Sequence, residues 1–342
     1  MVYRLTLYTV MLVFGFTLTS MYHDWNAVEK NYPFELSEYG FFEGDLAEMQ
    51  PAKNVIPYKL NAPLFSDYAY KARFIYLPDG EQMTYHPTEV MDFPIGTKII
   101  KTFYYQKDFR NPDKGRTLME TRVLIHEDAG WKALPYVWNE EQTDASLEVA
   151  GETKKVVWKN EKGKKQTLDY SVPNMNQCKG CHLRGEKIVP IGPSARQLHN
   201  KESHLVLWDK KGWLKGLPAV EEIPEMADWA DVNQPLDKRA RAYLDTNCAH
   251  CHHPDGPANT SGLYLHVYET DESKLGKFKA PIAAGRGSGD RQYNIVPGKP
   301  DESIMVYRMA SEDPGVMMPE ISRKLVHKEG IELIKDWIAE MD

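Results

Sequence analysis

The sequence predicts a multidomain α+β protein, in which an N-terminal all-β, sandwich-like domain is followed by a mainly α-helical region. Two observations predict this order. Residues 33–172 carry short runs of aromatic and β-branched residues that are separated by turn residues. Beyond about residue 172, apolar residues recur at helical spacing. A chain of 342 residues is long enough for two or three domains, each with its own core.

Residues 1–22 form a separate element at the start of the chain. Arg4 precedes an apolar stretch from Leu5 to about Leu18, and small polar residues follow. This layout is typical of a secretory signal peptide, with cleavage expected near Ser20. Because the apolar run approaches the length that spans a bilayer, an uncleaved N-terminal anchor is the alternative. Both interpretations predict export to the periplasm, and the second adds a membrane tether.

The β-rich domain, residues 33–172, is predicted from strand-like runs such as "ARFIYLPDG", "TKIIKTFYY" and "KKVVWKNEKGKKQTLDYSV". Residues 77–80 and 160–163 have the composition of hairpin or loop connections between strands. Several short strands at this spacing are typical of a sandwich or a barrel. The domain contains no cysteine.

The helical region divides into two segments, residues 173–235 and 236–342. In the first, "SARQLHNKESHLVLWDKKGWLKGLP" has apolar residues at helical spacing. In the second, helices are predicted from Leu236 to Thr246 and from Asp301 to Ala310, and an amphipathic helix closes the chain. Each segment begins near its own copy of one motif.

That motif is Cys-x-x-Cys-His, and its two copies account for all four cysteines of the chain. Two thiols three residues apart, followed at once by an imidazole, suit covalent attachment of haem. The thiols add to the two vinyl groups of the porphyrin, and the histidine ligates the iron on its proximal face. The sequence therefore predicts two covalently bound haem c groups. Their attachment residues are Cys178, Cys181, Cys248 and Cys251, and the proximal ligands are His182 and His252.

Three other uses of the cysteines explain the pattern less well. A four-cysteine zinc site would close a loop of about 66 residues, beyond the usual 15 to 20 between cysteine pairs. A Cys-x-x-Cys redox pair needs no following histidine. A structural disulfide across Cys-x-x-Cys is uncommon.

The sixth iron ligand is predicted for the second haem only. In "DPGVMMPE", Met318 lies 66 residues after His252 (318 − 252) and directly before a proline. A thioether on such a loop is the usual low-spin arrangement of small cytochromes c. Met317 is the fallback, and the alternative is that both methionines fill the core.

The first haem has no comparable signal for its sixth ligand. The residues that could supply it are Met226, His204 and His199, with Met175 as a further candidate. An open sixth position is a further alternative. His250 and His253, which flank the second motif, are expected to be exposed.

Residues 236–342 resemble a class I cytochrome c module, on the runs "YLDTNCAHCHHPDGPANTSGLYL", "VPGKPDESIMVYRM", "MMPE" and "GIELIKDWI". From about Leu60 the chain also resembles a largely uncharacterised family of exported bacterial dihaem c-type cytochromes. That resemblance is carried by "LNAPLFSDYAYKARFI", "FPIGTKIIKTFYY", "LPYVWNEEQTDA", "VPNMNQCKGCH" and "IGPSARQL". It implies export, redox function and the ligands His182, His252 and Met318, but no substrate.

Three functions follow as hypotheses. The first is single-electron transfer between extracytoplasmic donor and acceptor proteins. The second is a dihaem, peroxidase-like oxidoreductase in which a Met-ligated second haem serves an open first haem, so whether the chain is an enzyme stays undecided. The third is an interaction protein whose β domain binds a partner or a glycan. The net charge of −7 argues against a nucleic-acid partner, which would require a basic face.

Overall fold

The computed structural model describes residues 31–200, 202, 204–282, 284–321 and 323–342. The predicted signal peptide or anchor, residues 1–22, lies outside the described residues. In the part that is described, no helix is long and apolar enough to cross a membrane.

The strands are concentrated before residue 173. They are β1 (Phe42–Glu43), β2 (Gln50–Pro51), β3 (Val55–Pro57), β4 (Tyr70–Tyr76), β5 (Met83–Thr84), β6 (Lys98–Gln106), β7 (Arg116–Glu127), β8 (Gly130–Trp138), β9 (Ala145–Leu147), β10 (Glu152–Lys159), β11 (Lys165–Val172), β12 (Leu183–Arg184), β13 (Lys187–Ile188) and β14 (Leu214–Lys215). The strands β10 and β11 are amphipathic, because buried and exposed positions alternate along much of their length.

The α-helices whose bounds the structure describes lie after residue 173. They are α1 (Met175–His182), α2 (Ala195–Leu198), α3 (His204–Lys210), α4 (Leu236–Asn247), α5 (Glu272–Leu275), α6 (Ile304–Ala310) and α7 (Lys328–Ala339).

The main sheet has six antiparallel strands in the order β3-β4-β6-β7-β8-β9. Successive residues of each strand point to opposite faces, so Ile100 packs with the N-terminal segment while Ile99 packs with the helices. The hairpin of β10 and β11 covers part of the second face and packs there against Phe103 and Tyr105. A large all-β N-terminal region is therefore confirmed, but its second layer is a hairpin with helices rather than a second sheet of similar size.

The first helical segment shares a core with the sheet. Leu198 and Trp208 pack in one cluster with Ile75 and Ile99, and β14 adds a parallel pair to β5. Cys178 belongs to the same cluster, so the first motif is fixed directly against the β region.

The second segment has its own core, built where α4 and α7 cross. Leu244, Leu333 and Trp337 pack there, and the ring of Tyr243 lies against Gly330. A Cβ at position 330 would overlap the tyrosine ring, so a glycine permits this close approach.

The prediction of a mainly α-helical region after residue 173 is wrong. Over the part of the chain that the structure describes, 25% of the residues are helical and 26% lie in strands, and the seven α-helices there are short, the longest having 12 residues. The three helices predicted for residues 236–342 are present as α4, α6 and α7. The Gly- and Pro-rich connections between them, such as residues 284–300, form turns, loops and a short 3-10 helix (Gly285–Ser288) instead, because glycine and proline disfavour the interior of α-helices.

Candidate functional site

The first motif occupies the helix α1. Asn174 caps its N-terminus in a capping box with Gln177, since each side chain accepts a hydrogen bond from the other residue's backbone N–H. Cys178 and His182 are four residues apart and Cys181 lies between them, so the three side chains share one side of the helix. All three line a cavity of about 800 Å³.

The imidazole of His182 is oriented by the chain itself. Its Nδ1 lies 2.7 Å from the carbonyl oxygen of Val189, and because a carbonyl can only accept, Nδ1 carries the proton. The lone pair of Nε2 is then available for a metal. Burial, assisted by the nearby charge of Lys101, lowers the pKa of His182 to about 4, so the ring is neutral as a ligand must be.

The second motif begins where α4 ends, with Cys248 as the residue that closes the helix. The Nδ1 of His252 lies 3.2 Å from Oγ of Ser261, whose hydroxyl donates to the carbonyl of Ala258 at 2.6 Å. The serine oxygen therefore accepts from Nδ1, which again leaves Nε2 free. Burial lowers the pKa of His252 to about 4.

The fold brings the two motifs into contact. The thiol of Cys251 donates to the carbonyl of Gly180, inside the first motif, at 3.2 Å. The ligand atoms of Cys181, Cys251 and His250 all lie within 4.8 Å of one another. His250 was expected to be exposed, yet it is only 6% exposed, because the first motif covers it; His253 is partly buried.

The chain after the first motif reinforces this contact. Arg184 donates from its guanidinium to the carbonyl of His250 at 3.1 Å, and the backbone N–H of Gly185 donates to Asp255 at 2.9 Å. The two Cys-x-x-Cys-His units thus form one continuous structure, although about seventy residues separate them in sequence.

Met318 also lines the cavity, whereas Met317 is buried and lies outside the lining. The backbone N–H of Met318 donates to the carbonyl of Arg308 at 3.0 Å. Its loop reaches the first motif as well, because a Cβ on Gly180 would lie 2.7 Å from Ile321. His252 is not among the cavity-lining residues that the structure describes.

None of the residues proposed as sixth ligand of a first haem lines this cavity. His204 accepts the backbone N–H of Lys59 at Nε2, and Nδ1 of His199 lies 3.2 Å from the carbonyl of Ile223. Met226 is buried in a small cluster with Ala62 and its sulfur meets the hydroxyl of Thr246 at 3.9 Å. Met175 packs at the edge of the sheet core.

Sequence reasoning missed three charged residues of the β region. Arg73, Lys101 and Arg122 line the cavity from β4, β6 and β7. The available signal was their position: each lies on a strand face that otherwise carries buried apolar residues, for example Ile75 and Ile99.

The cavity suits a large, mainly apolar group with polar ends. Its volume is within the usual range for cofactor sites, and two thiols and a neutral imidazole open into it. The residues present therefore fit a covalently held porphyrin at the first motif. Comparison with known protein families, curated proteins and solved structures found no match for this chain.

Proposed function

We propose that the protein is a periplasmic dihaem c-type cytochrome that transfers single electrons between extracytoplasmic donor and acceptor proteins. The observation that carries this proposal is that both Cys-x-x-Cys-His motifs present a histidine whose Nδ1 is engaged by the chain and whose Nε2 is free. A disulfide pair or a thiol redox pair needs no such histidine. The resemblance to exported dihaem cytochromes is consistent with it.

Haem, when bound, supplies an iron centre that accepts and releases one electron. Cys178 and Cys181 would hold one group by thioether bonds with His182 as an iron ligand, and the second motif would hold the other through Cys248, Cys251 and His252. Met318 would provide a thioether ligand. Val189 and Ser261 orient the two histidines, because their oxygens accept hydrogen bonds from the Nδ1–H groups. These hydrogen bonds fix the ring planes and strengthen the imidazoles as ligands.

The contact between the motifs supports electron transfer in particular. Cys181 and Cys251 are the last thiols of their motifs and lie side by side. Groups attached to these two thiols would have neighbouring edges, and a short separation favours the transfer of an electron between them.

The direct test is the mass of the denatured protein after expression in a periplasm with a cytochrome c maturation system. We expect the polypeptide plus two haem groups. The variant Cys178→Ala/Cys181→Ala and the variant Cys248→Ala/Cys251→Ala should each lose one haem group. Each variant is the control for the other, because each leaves the other motif intact. A mass equal to the polypeptide alone would refute the proposal. Zinc retained by such a protein would instead assign the Cys181–His250–Cys251 group as a metal centre.

A second candidate is the dihaem oxidoreductase, with an open position on the first haem. It is favoured by the finding that His199, His204 and Met226 all lie outside the cavity lining. Electron paramagnetic resonance of the ferric protein separates the two functions. A persistent high-spin signal that changes with peroxide supports the enzyme, and two low-spin signals without a high-spin one support electron transfer.

A further inference from the structure

A row of three cations crosses the face of the main sheet that lines the cavity. Arg73 pairs directly with Lys101 across β4 and β6, and Lys101 pairs directly with Arg122 across β6 and β7. Directly paired residues on neighbouring strands have their Cβ atoms about 5 Å apart. All three side chains line the cavity, where Arg73 is buried and Lys101 and Arg122 are partly buried, so like charges lie side by side.

Among the described residues, one of the three cations has a carboxylate partner. Arg122 makes two hydrogen bonds with Glu120, at 2.7 and 2.5 Å, and Tyr170 donates to the same carboxylate. Arg73 is 9% exposed, and within the same described residues the one hydrogen bond of its side chain goes to the carbonyl of Lys71 at 3.4 Å.

Lys101 has no ion-pair partner in the described part of the chain, and its ammonium lies 5.1 Å from the ring centre of Phe103. Burial, with Arg122 and Arg73 adding to it, lowers the pKa of Lys101 to about 7. Like charges directly opposite each other destabilise a sheet, and buried charges are normally paired. The row is therefore an incomplete site that an anion would complete.

We propose that Arg73 and Lys101, with Arg122 beside them, bind a small oxoanion or carboxylate inside the cavity. An arginine offers paired N–H donors that match two oxygens of such an anion, and a lysine adds a compact charge. Glu120 holds the guanidinium of Arg122 in place, and this third cation is shared with the bound anion.

Two sources could supply an anion of this chemistry, a free ion or the propionates of a haem. The row lines the same cavity as Cys178, Cys181 and His182, and the charges of Lys101 and Arg122 act on these residues, so the row lies near the thiols of the first motif. Propionates leave a porphyrin on the side opposite the vinyl groups that bond cysteine. The free anion is therefore favoured. The row itself belongs to the sheet, and only its position beside a haem rests on the proposed function.

The experiment uses the full holoprotein, after its haem content has been measured. Sulfate and acetate are titrated at constant ionic strength with potassium chloride, and binding is followed by calorimetry and thermal unfolding. We expect Lys101→Gln to weaken binding at least tenfold and Lys101→Arg to retain it. Lys98→Gln is the matched control, because Lys98 lies on the same strand but outside the cavity lining, and it should bind as the wild type does.

Reduction potentials of the same variants distinguish the source. In one outcome, neither anion binds the wild type, but Lys101→Gln changes the oxidised-to-reduced ratio of one haem tenfold, which is equivalent to 59 mV. The haem carboxylates then fill the row. If Lys101→Gln and Lys98→Gln match the wild type in both measurements, the anion site is refuted. Protein without haem that still binds sulfate through Lys101 would refute the proposed function and leave the anion site standing.

Discussion

The burial of His327 predicts how the free energy of unfolding depends on pH. Its imidazole stacks on Phe65 with ring centres 4.1 Å apart, and Nδ1 lies 3.0 Å from the hydroxyl of Tyr243. It thereby joins the loop before β4 to the helices α4 and α7. Burial lowers the pKa of His327 to about 4, while Glu329 acts in the opposite direction and Lys71 adds to the decrease.

The size of the effect follows from the difference between this pKa and the ordinary value of 6.5. Each pKa unit corresponds to about 1.36 kcal/mol, so the difference is worth about 3 kcal/mol. Because the folded state holds the ring neutral, the unfolded state binds more protons between pH 6.5 and 4. The free energy of unfolding should therefore be unaffected by His327 above about pH 6.5 and fall as the pH decreases towards 4.

The assay is urea unfolding at a series of pH values, comparing the wild type with His327→Phe. Phenylalanine preserves the stack on Phe65 but loses the hydrogen bond to Tyr243, which costs about 1 kcal/mol at neutral pH. Between pH 7 and 4.5 the wild type should lose roughly 2–3 kcal/mol more than the variant. Parallel pH profiles for the two proteins would refute the assignment of a neutral, buried His327.

Substitutions at Asp67 test how the segments are joined, and substitutions at Gly256 and Gly180 test how the second motif is held. Asp67 accepts the backbone N–H of Leu325 at 2.7 Å, so Asp67→Ala should lower the free energy of unfolding by about 2–4 kcal/mol in urea, and Asp67→Asn by clearly less. A Cβ on Gly256 would overlap the carbonyl oxygen of Cys251, so Gly256→Ala should cost about 1–3 kcal/mol and reduce the haem retained on a denaturing gel. In Gly180→Ala the added Cβ meets only the end of a flexible side chain, so this variant should lose less stability and less haem than Gly256→Ala. Equal losses in the two variants would contradict the predicted overlap at Gly256.

Local patterns in the sequence predicted the individual elements well. The run Leu236 to Thr246 forms α4, and the turn at residues 160–163 connects β10 to β11, with the N–H of Gly163 donating to Asn160 at 2.8 Å. These elements depend on side-chain periodicity and turn residues, which the sequence displays directly. The extent of helix after residue 173 was overestimated, because helical spacing in a short run does not show how many residues the surrounding loops occupy.

The covalent chemistry available to the chain is determined by the sequence alone. In Cys-x-x-Cys-His the three side chains lie within five residues, so Cys178 and His182 share a side of the helix α1, while Cys248 and His252 are equally close in the turns that follow α4. Only the tertiary structure decided that Cys181 would meet Cys251 and that Arg73, Lys101 and Arg122 would form a row facing the first motif. Strand register and the packing of distant segments determine those contacts, and no local pattern encodes them.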